Sequence, residues 1–197
     1  FPGILQQHGR VTDRIRDIFI TKEYNTAGIY LLKLWVNGLE TPVVIDDYLP
    51  SIQNRPAFAQ AKSGDLWVCL AEKAFAKLFG SYGNTEGGQC IWAAEFLTGL
   101  PSFVATHDSD KVANDLDKFW KKILACDKRN FKLTAGSNGQ GENRGGNGII
   151  SGHAYSVISA FEVNHQGRSH RLVKLRNPWG KSEWNGLWSD SSSIWTP

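Results

Sequence analysis

Methionine is absent from the 197 residues, and the chain opens Phe1-Pro2-Gly3. That start is neither an initiator Met nor a signal peptide, and it reads as a piece of something longer. Cysteine is scarce: Cys69, Cys90 and Cys126 make an odd number at scattered spacings, with no C-x-x-C pair. This excludes a disulfide framework and a zinc ribbon, and it points to a reducing, cytoplasmic setting. Charge of one sign is also lacking. Lys and Arg number 22 against 19 Asp and Glu, a net +3 with no basic run, so the chain carries no electrostatic footprint for nucleic acid. Nor does any apolar run approach the roughly 20 residues of a membrane helix, which removes the membrane as a partner.

What is present is ordinary for a folded domain, with 41% hydrophobic and 21% charged residues. The length suits one sizeable core or two small subdomains. Eight Trp and ten Phe stand out, and such side chains imply a well-packed core or an aromatic-lined cleft.

Ile29 to Val36 is a β-rich run, Asn37-Gly38 is a hairpin turn, and Pro42 to Ile45 returns as a second strand. Leu66, Trp67, Leu70, Ala74, Phe75 and Leu78 recur three or four apart, with Asp65 as N-cap or first-turn acid and Gly80 as the stop. Gln89 to Leu97 and Asn114 to Cys126 read as two further helices. The Gly-rich stretch 136–148 lacks a following Lys-Ser/Thr and a following helix, so it is a surface connection and not a phosphate cradle. Ile149 to Val163 and Ser169 to Arg176 read as strands joined through Gly167, and residues 179–195 as turns and short strands. Helices first and strands after imply an α+β fold.

The chemistry lies in the last third. Gly152-His153-Ala154-Tyr155-Ser156-Val157 sets a histidine at the start of an apolar strand, and Arg176-Asn177-Pro178-Trp179-Gly180 sets an asparagine where the next strand ends. Strand pairing brings these ends together, with an expected hydrogen bond of about 2.7–3.2 Å and Trp179 beside it. The asparagine then accepts from Nδ1–H and leaves Nε2 for a nucleophile. An amide suits this work because a thiolate–imidazolium pair is already charge-balanced. Alone, a histidine at a strand edge is more often structural.

The wider context changes that balance. The His153 motif followed by Leu175 to Gly180, then Trp184, Gly186 and Trp188-Ser189-Asp190, resembles the signature of the calpain family of papain-like cysteine proteases. Gly28-Ile29-Tyr30, Val44 to Pro50, Leu66-Trp67, Leu70 to Lys77, Gly80-Ser81-Tyr82 and Leu97-Thr98-Gly99 extend the likeness in the family's order. The resemblance implies a papain-like core, with residues 1–100 as the remainder of a helical first subdomain and 101–197 as a β-rich second subdomain. It implies a calcium-dependent cysteine endopeptidase acting on protein substrates, with His153 as general base and acid, Asn177 as its orienter and Trp179 as the tryptophan covering their bond. Plain core packing is the alternative for Trp179.

The family's Gln-x-x-x-Gly-Asp/Ser-Cys-Trp segment precedes its Gly-Ile-Tyr hairpin, whereas no cysteine stands before Gly28 here. The expectation is therefore a chain without a nucleophile of its own, inactive alone, whose partner is the Cys-bearing segment of a parent protein. Cys90, in Gln89-Cys90-Ile91-Trp92, imitates a papain-like turn, but its Trp is displaced by one residue and no Gly precedes it. It reads as a helix-core thiol, as do Cys69 and Cys126. By the same resemblance Asp65 falls where the first subdomain supplies a calcium carboxylate, and Glu183 and Asp190 where the second supplies two. An N-cap and solvated acids are their plainer roles. A non-catalytic, protein-binding or scaffolding module is the alternative function.

Overall fold

A computed structural model describes residues 16–61, 64–106 and 115–195. The chain divides into two compact units, Phe1–Ala105 and Thr106–Pro197, each described by itself.

The first unit is built on a hairpin of β1 (Ile29–Val36) and β2 (Leu39–Asp46). Asn37 and Gly38 have φ of 52° and 76°, the two left-handed residues that a type I′ turn requires and that Asn-Gly supplies at least strain. Alternation then sets the faces. Tyr30, Leu32 and Leu34 point inward, opposite Ile45 and Val43. Helix α1 (Trp67–Phe79) lays Leu70 and Ala74 on this face, and α2 (Cys90–Thr98) adds Leu97. The helix starts two residues after Asp65; Leu66 takes the N-cap position with no side-chain cap, and no acid lies in the first turn. The expected capping role of Asp65 is thus corrected, while Gly80 ends the helix in the left-handed conformation. A small hairpin of β3 (Ser51–Ile52) and β4 (Arg55–Pro56), turning at Gln53 and Asn54, has no counterpart in the sequence reading because two-residue strands carry no periodicity.

In the second unit, α3 (Leu116–Lys128) begins at Asp115, whose carboxylate accepts from the Lys118 amide at 2.9 Å. Asn114, where the helix was expected to start, lies outside the described residues. Trp120 is buried and its indole donates to Glu162 at 2.6 Å, fastening α3 to the sheet. That sheet runs β5 (Leu133–Gly136), β6 (Ala154–His165), β7 (Arg168–Arg176), all antiparallel, with β6 central. The central strand starts at 154 and not at 149. Residues 149–153 are drawn into the Gly-rich loop, with Ser151 N donating to Asn143 O and Gly145 N to Ile149 O, both at 2.8 Å. A bulge leaves Ile158 without a pairing partner, between Val157↔Leu175 and Ser159↔Lys174. The tail folds into turns and a short 3-10 helix, Ser193–Trp195, with no strand among its described residues.

Candidate active site

His153 sits immediately before β6 and Asn177 immediately after β7. Beyond the bulge the pairing is Ser156↔Arg176, which leaves Asn177 across from Tyr155; with no bulge it would fall across from Ser156. The extra residue therefore draws Asn177 one step toward His153.

The two side chains meet in a buried setting, each residue 6% exposed. His153 Nε2 lies 2.9 Å from Asn177 Oδ1. The amide is held in one orientation, since its Nδ2 donates to the carbonyls of Lys181 and Ser182 at 2.7 and 3.1 Å while Oδ1 also accepts from Trp179 N at 3.0 Å. An amide oxygen is an acceptor only, so Nε2 carries a proton. The expected nitrogen was Nδ1, and the structure reverses the two. The backbone of His153 is held at the end of β5, its N–H donating to Ser137 Oγ and its carbonyl accepting from Ser137 N, and the ring lies with its Nε2 edge toward Asn177.

The Trp179 ring packs against the imidazole at a tilt of 54°, centroids 4.7 Å apart, and Tyr155 meets it edge-on at 5.0 Å. Tyr155 is itself held by its hydroxyl, which accepts from Ile150 N at 2.8 Å.

The other ring nitrogen finds a partner that the sequence reading missed. Glu142, in the Gly-rich loop, places Oε1 2.6 Å from His153 Nδ1. The stretch read as a plain connection folds back onto 149–153, and Gly152 (φ 60°) permits it: a Cβ there would stand 2.8 Å from the Gly141 carbonyl oxygen. The available signal was that Glu142 is the single acid in residues 136–148.

The remaining candidates fall elsewhere. Glu183 and Asp190 are exposed and line one groove of about 800 Å³ with Trp184, Trp188 and Trp195. Asp65 belongs to the first unit. Among the described residues no three His, Cys, Asp or Glu side chains gather as a metal group, and two carboxylates fall short of the six to eight oxygens calcium takes. Among the described residues, side chains alone do not complete a calcium shell.

All three thiols are free. Cys126 is buried, as is Cys69, which donates to the Ala59 carbonyl at 3.1 Å. Burial first, then the charge of Glu72, push the Cys69 thiol above its ordinary range. Cys90 is the first residue of α2 and only partly buried, more exposed than a helix-core thiol should be, because a first-turn position leaves one side of the residue uncovered.

No helix among the described residues is long and apolar enough to cross a membrane. Comparison with known proteins matches residues 4–197 to a family model described as calpain family cysteine protease. The calpain-type cysteine protease DEK1 of Arabidopsis thaliana is 43% identical over 189 residues, 93% of this chain and 9% of that protein. Calpain-9 of Homo sapiens is 38% identical over 174 residues, 86% of the chain and 24% of the relative. Calpain clp-4 of Caenorhabditis elegans is 37% identical over 175 residues, 87% of the chain and 24% of the relative. The chain thus spans a quarter or less of the length of these relatives.

Proposed function

The chain belongs to the calpain family of cysteine proteases, with an α+β papain-like core, and from that premise we propose that its second unit supplies the general-base histidine and the orienting asparagine of a peptide-bond hydrolase acting on protein substrates. The observation that carries this reading is the buried 2.9 Å contact between His153 Nε2 and Asn177 Oδ1.

In this reading Asn177 holds the Nε2–H, so Nδ1 is the nitrogen that exchanges a proton. It takes the proton of a cysteine thiol and later returns it to the leaving amine. Trp179 keeps water from the His–Asn bond, which strengthens that bond by lowering the local dielectric. None of Cys69, Cys90 and Cys126 is assigned the nucleophile, which we place in the longer protein. The three free thiols fit the cytoplasmic, reducing setting we propose with it. Calcium belongs to the proposal as a regulatory ligand of Glu183 and Asp190, with the other oxygens to come from carbonyls, water or the rest of the protein. Asp65 would serve a separate site of the same kind.

The test is hydrolysis of a casein-type substrate by the longer protein. His153→Ala should abolish turnover, whereas full turnover by that variant would refute the assignment. The present chain alone should show no hydrolysis with or without calcium. Cysteine-dependent turnover by it, blocked by an epoxide inhibitor, would place the nucleophile among its own three thiols.

A further inference from the structure

The contact between Glu142 and His153 has a chemical consequence that the catalytic reading does not absorb. Asn177 presents an oxygen to Nε2, in an orientation that its two Nδ2 donations impose. Glu142 presents a carboxylate oxygen to Nδ1 at 2.6 Å, and an ionised carboxylate only accepts. Both ring nitrogens therefore face acceptors, and the ring satisfies both only as the doubly protonated cation. That form has no lone pair with which to take a proton. It is also the form that pairs with a thiolate in a cysteine protease. The carboxylate sits where an anionic sulfur would be received, on the same nitrogen and with the same sign of charge.

The two halves of the contact differ in how firmly they are held. The His153 side chain is 4% exposed and that of Glu142 is 47% exposed. His153 is clamped through its backbone to Ser137, and its ring is fixed by Asn177 and Trp179. Glu142 stands on the outer turn of a glycine-rich loop whose residues 139–147 are all exposed. Rotation of one side chain into solvent releases the ring and makes or breaks no covalent bond.

We propose that Glu142 is an internal latch that occupies Nδ1 of His153 in the place of the nucleophile's thiolate, and that the protease is released when this carboxylate turns away. The proposal rests on His153 being the catalytic base. The proton stays on Nδ1 throughout, and only its acceptor changes from carboxylate oxygen to sulfur.

Two measurements test it. In the 197-residue chain, proton–nitrogen NMR of the imidazole should show two hydrogen-bonded ring N–H resonances. Glu142→Ala should remove the Nδ1–H resonance and leave that of Nε2–H. A wild-type ring carrying only Nε2–H overturns the latch, whereas absence of the Nε2–H resonance overturns the His–Asn reading beneath it. In the longer protein, iodoacetamide alkylation of the nucleophilic cysteine and kcat/KM should both rise roughly tenfold in Glu142→Ala, the factor set by one charge-assisted hydrogen bond. Glu142→Gln should give a smaller rise, because a neutral amide still accepts from Nδ1. Rates that stay unchanged or fall in both variants refute the latch, even where His153→Ala confirms the base.

Discussion

Asn177 does two kinds of work with one amide. Its oxygen serves His153 and the Trp179 amide, and its nitrogen ties down the carbonyls of Lys181 and Ser182. Asn177→Ala should therefore lower stability by about 2 kcal/mol, because the buried Nε2–H of His153 loses its acceptor and two partly buried carbonyls lose their donor, as well as lowering kcat. Asn177→Asp should destabilise more than Asn177→Ala, since it sets a carboxylate against two carbonyl oxygens in a buried site. Chemical denaturation of the three proteins checks the order. Glu72 gives a pH prediction. Burial, chiefly, raises its carboxyl above the ordinary 4.5, opposed by the Ala59 amide that its oxygens accept. A raised folded-state value means that the stabilising contribution is complete below 4.5 and is lost as pH climbs through the folded value. The thermal midpoint of the native chain should fall across that window, and Glu72→Gln, which cannot ionise, should flatten the fall. Tyr82, stacked on Phe58 at 4.8 Å, is pushed up to about 12, first by burial and then by the charges of Glu72 and Cys69, so it stays neutral throughout.

Among the elements, the bulge at Ile158 is the one that adjusts the site. Deleting Ile158 should close the bulge, because Ser159↔Lys174 and Val157↔Leu175 then become consecutive pairs, and should leave Asn177 across from Tyr155. The Nε2–H resonance of His153 should then keep its hydrogen-bonded character, and hydrolysis by the longer protein should persist. Loss of both would show that the local bend of the bulge, and not the register alone, sets the site. The β1–β2 hairpin depends on its turn in a simpler way. Gly38 holds φ of 76°, and nothing lies within 4 Å of the point a β-carbon would occupy, so Gly38→Ala should cost about 1 kcal/mol through backbone strain alone. Thermal unfolding reads that directly.

At the scale of the whole molecule, the two units carry separate built-in reporters. Cys69 is buried in the first and Cys126 in the second, while Cys90 is partly exposed. A pulse of iodoacetamide on the native chain should alkylate Cys90 first, and mass spectrometry of the peptides would show it. Leu32 is fully buried at the centre of the first unit's core. Leu32→Ala should cost roughly 3 kcal/mol, the sum of lost transfer energy and a cavity, and should speed labelling of Cys69 more than that of Cys126. Equal acceleration of both would mean that the two units open as one.

What the sequence determined by itself was whatever depends on local spacing. The Asn37-Gly38 turn, the alternation of Tyr30, Leu32 and Leu34, and the 3.6-residue recurrence from Trp67 to Leu78 read directly as hairpin and helix, because near neighbours decide those conformations. The His153 and Asn177 motifs were legible too, as runs of residue types long enough to resemble a family. Only the tertiary structure decided which ring nitrogen meets Asn177, because that depends on the side-chain rotation of His153, which residue spacing does not set. It alone decided that Ile158 slips out of register, since a bulge leaves the hydrophobic pattern of β6 almost unchanged. And it alone brought Glu142 to Nδ1. Glu142 stands eleven positions before His153, and no periodicity spans a glycine-rich loop; the contact exists because Gly152 adopts a φ that lets the loop fold back against its own strand.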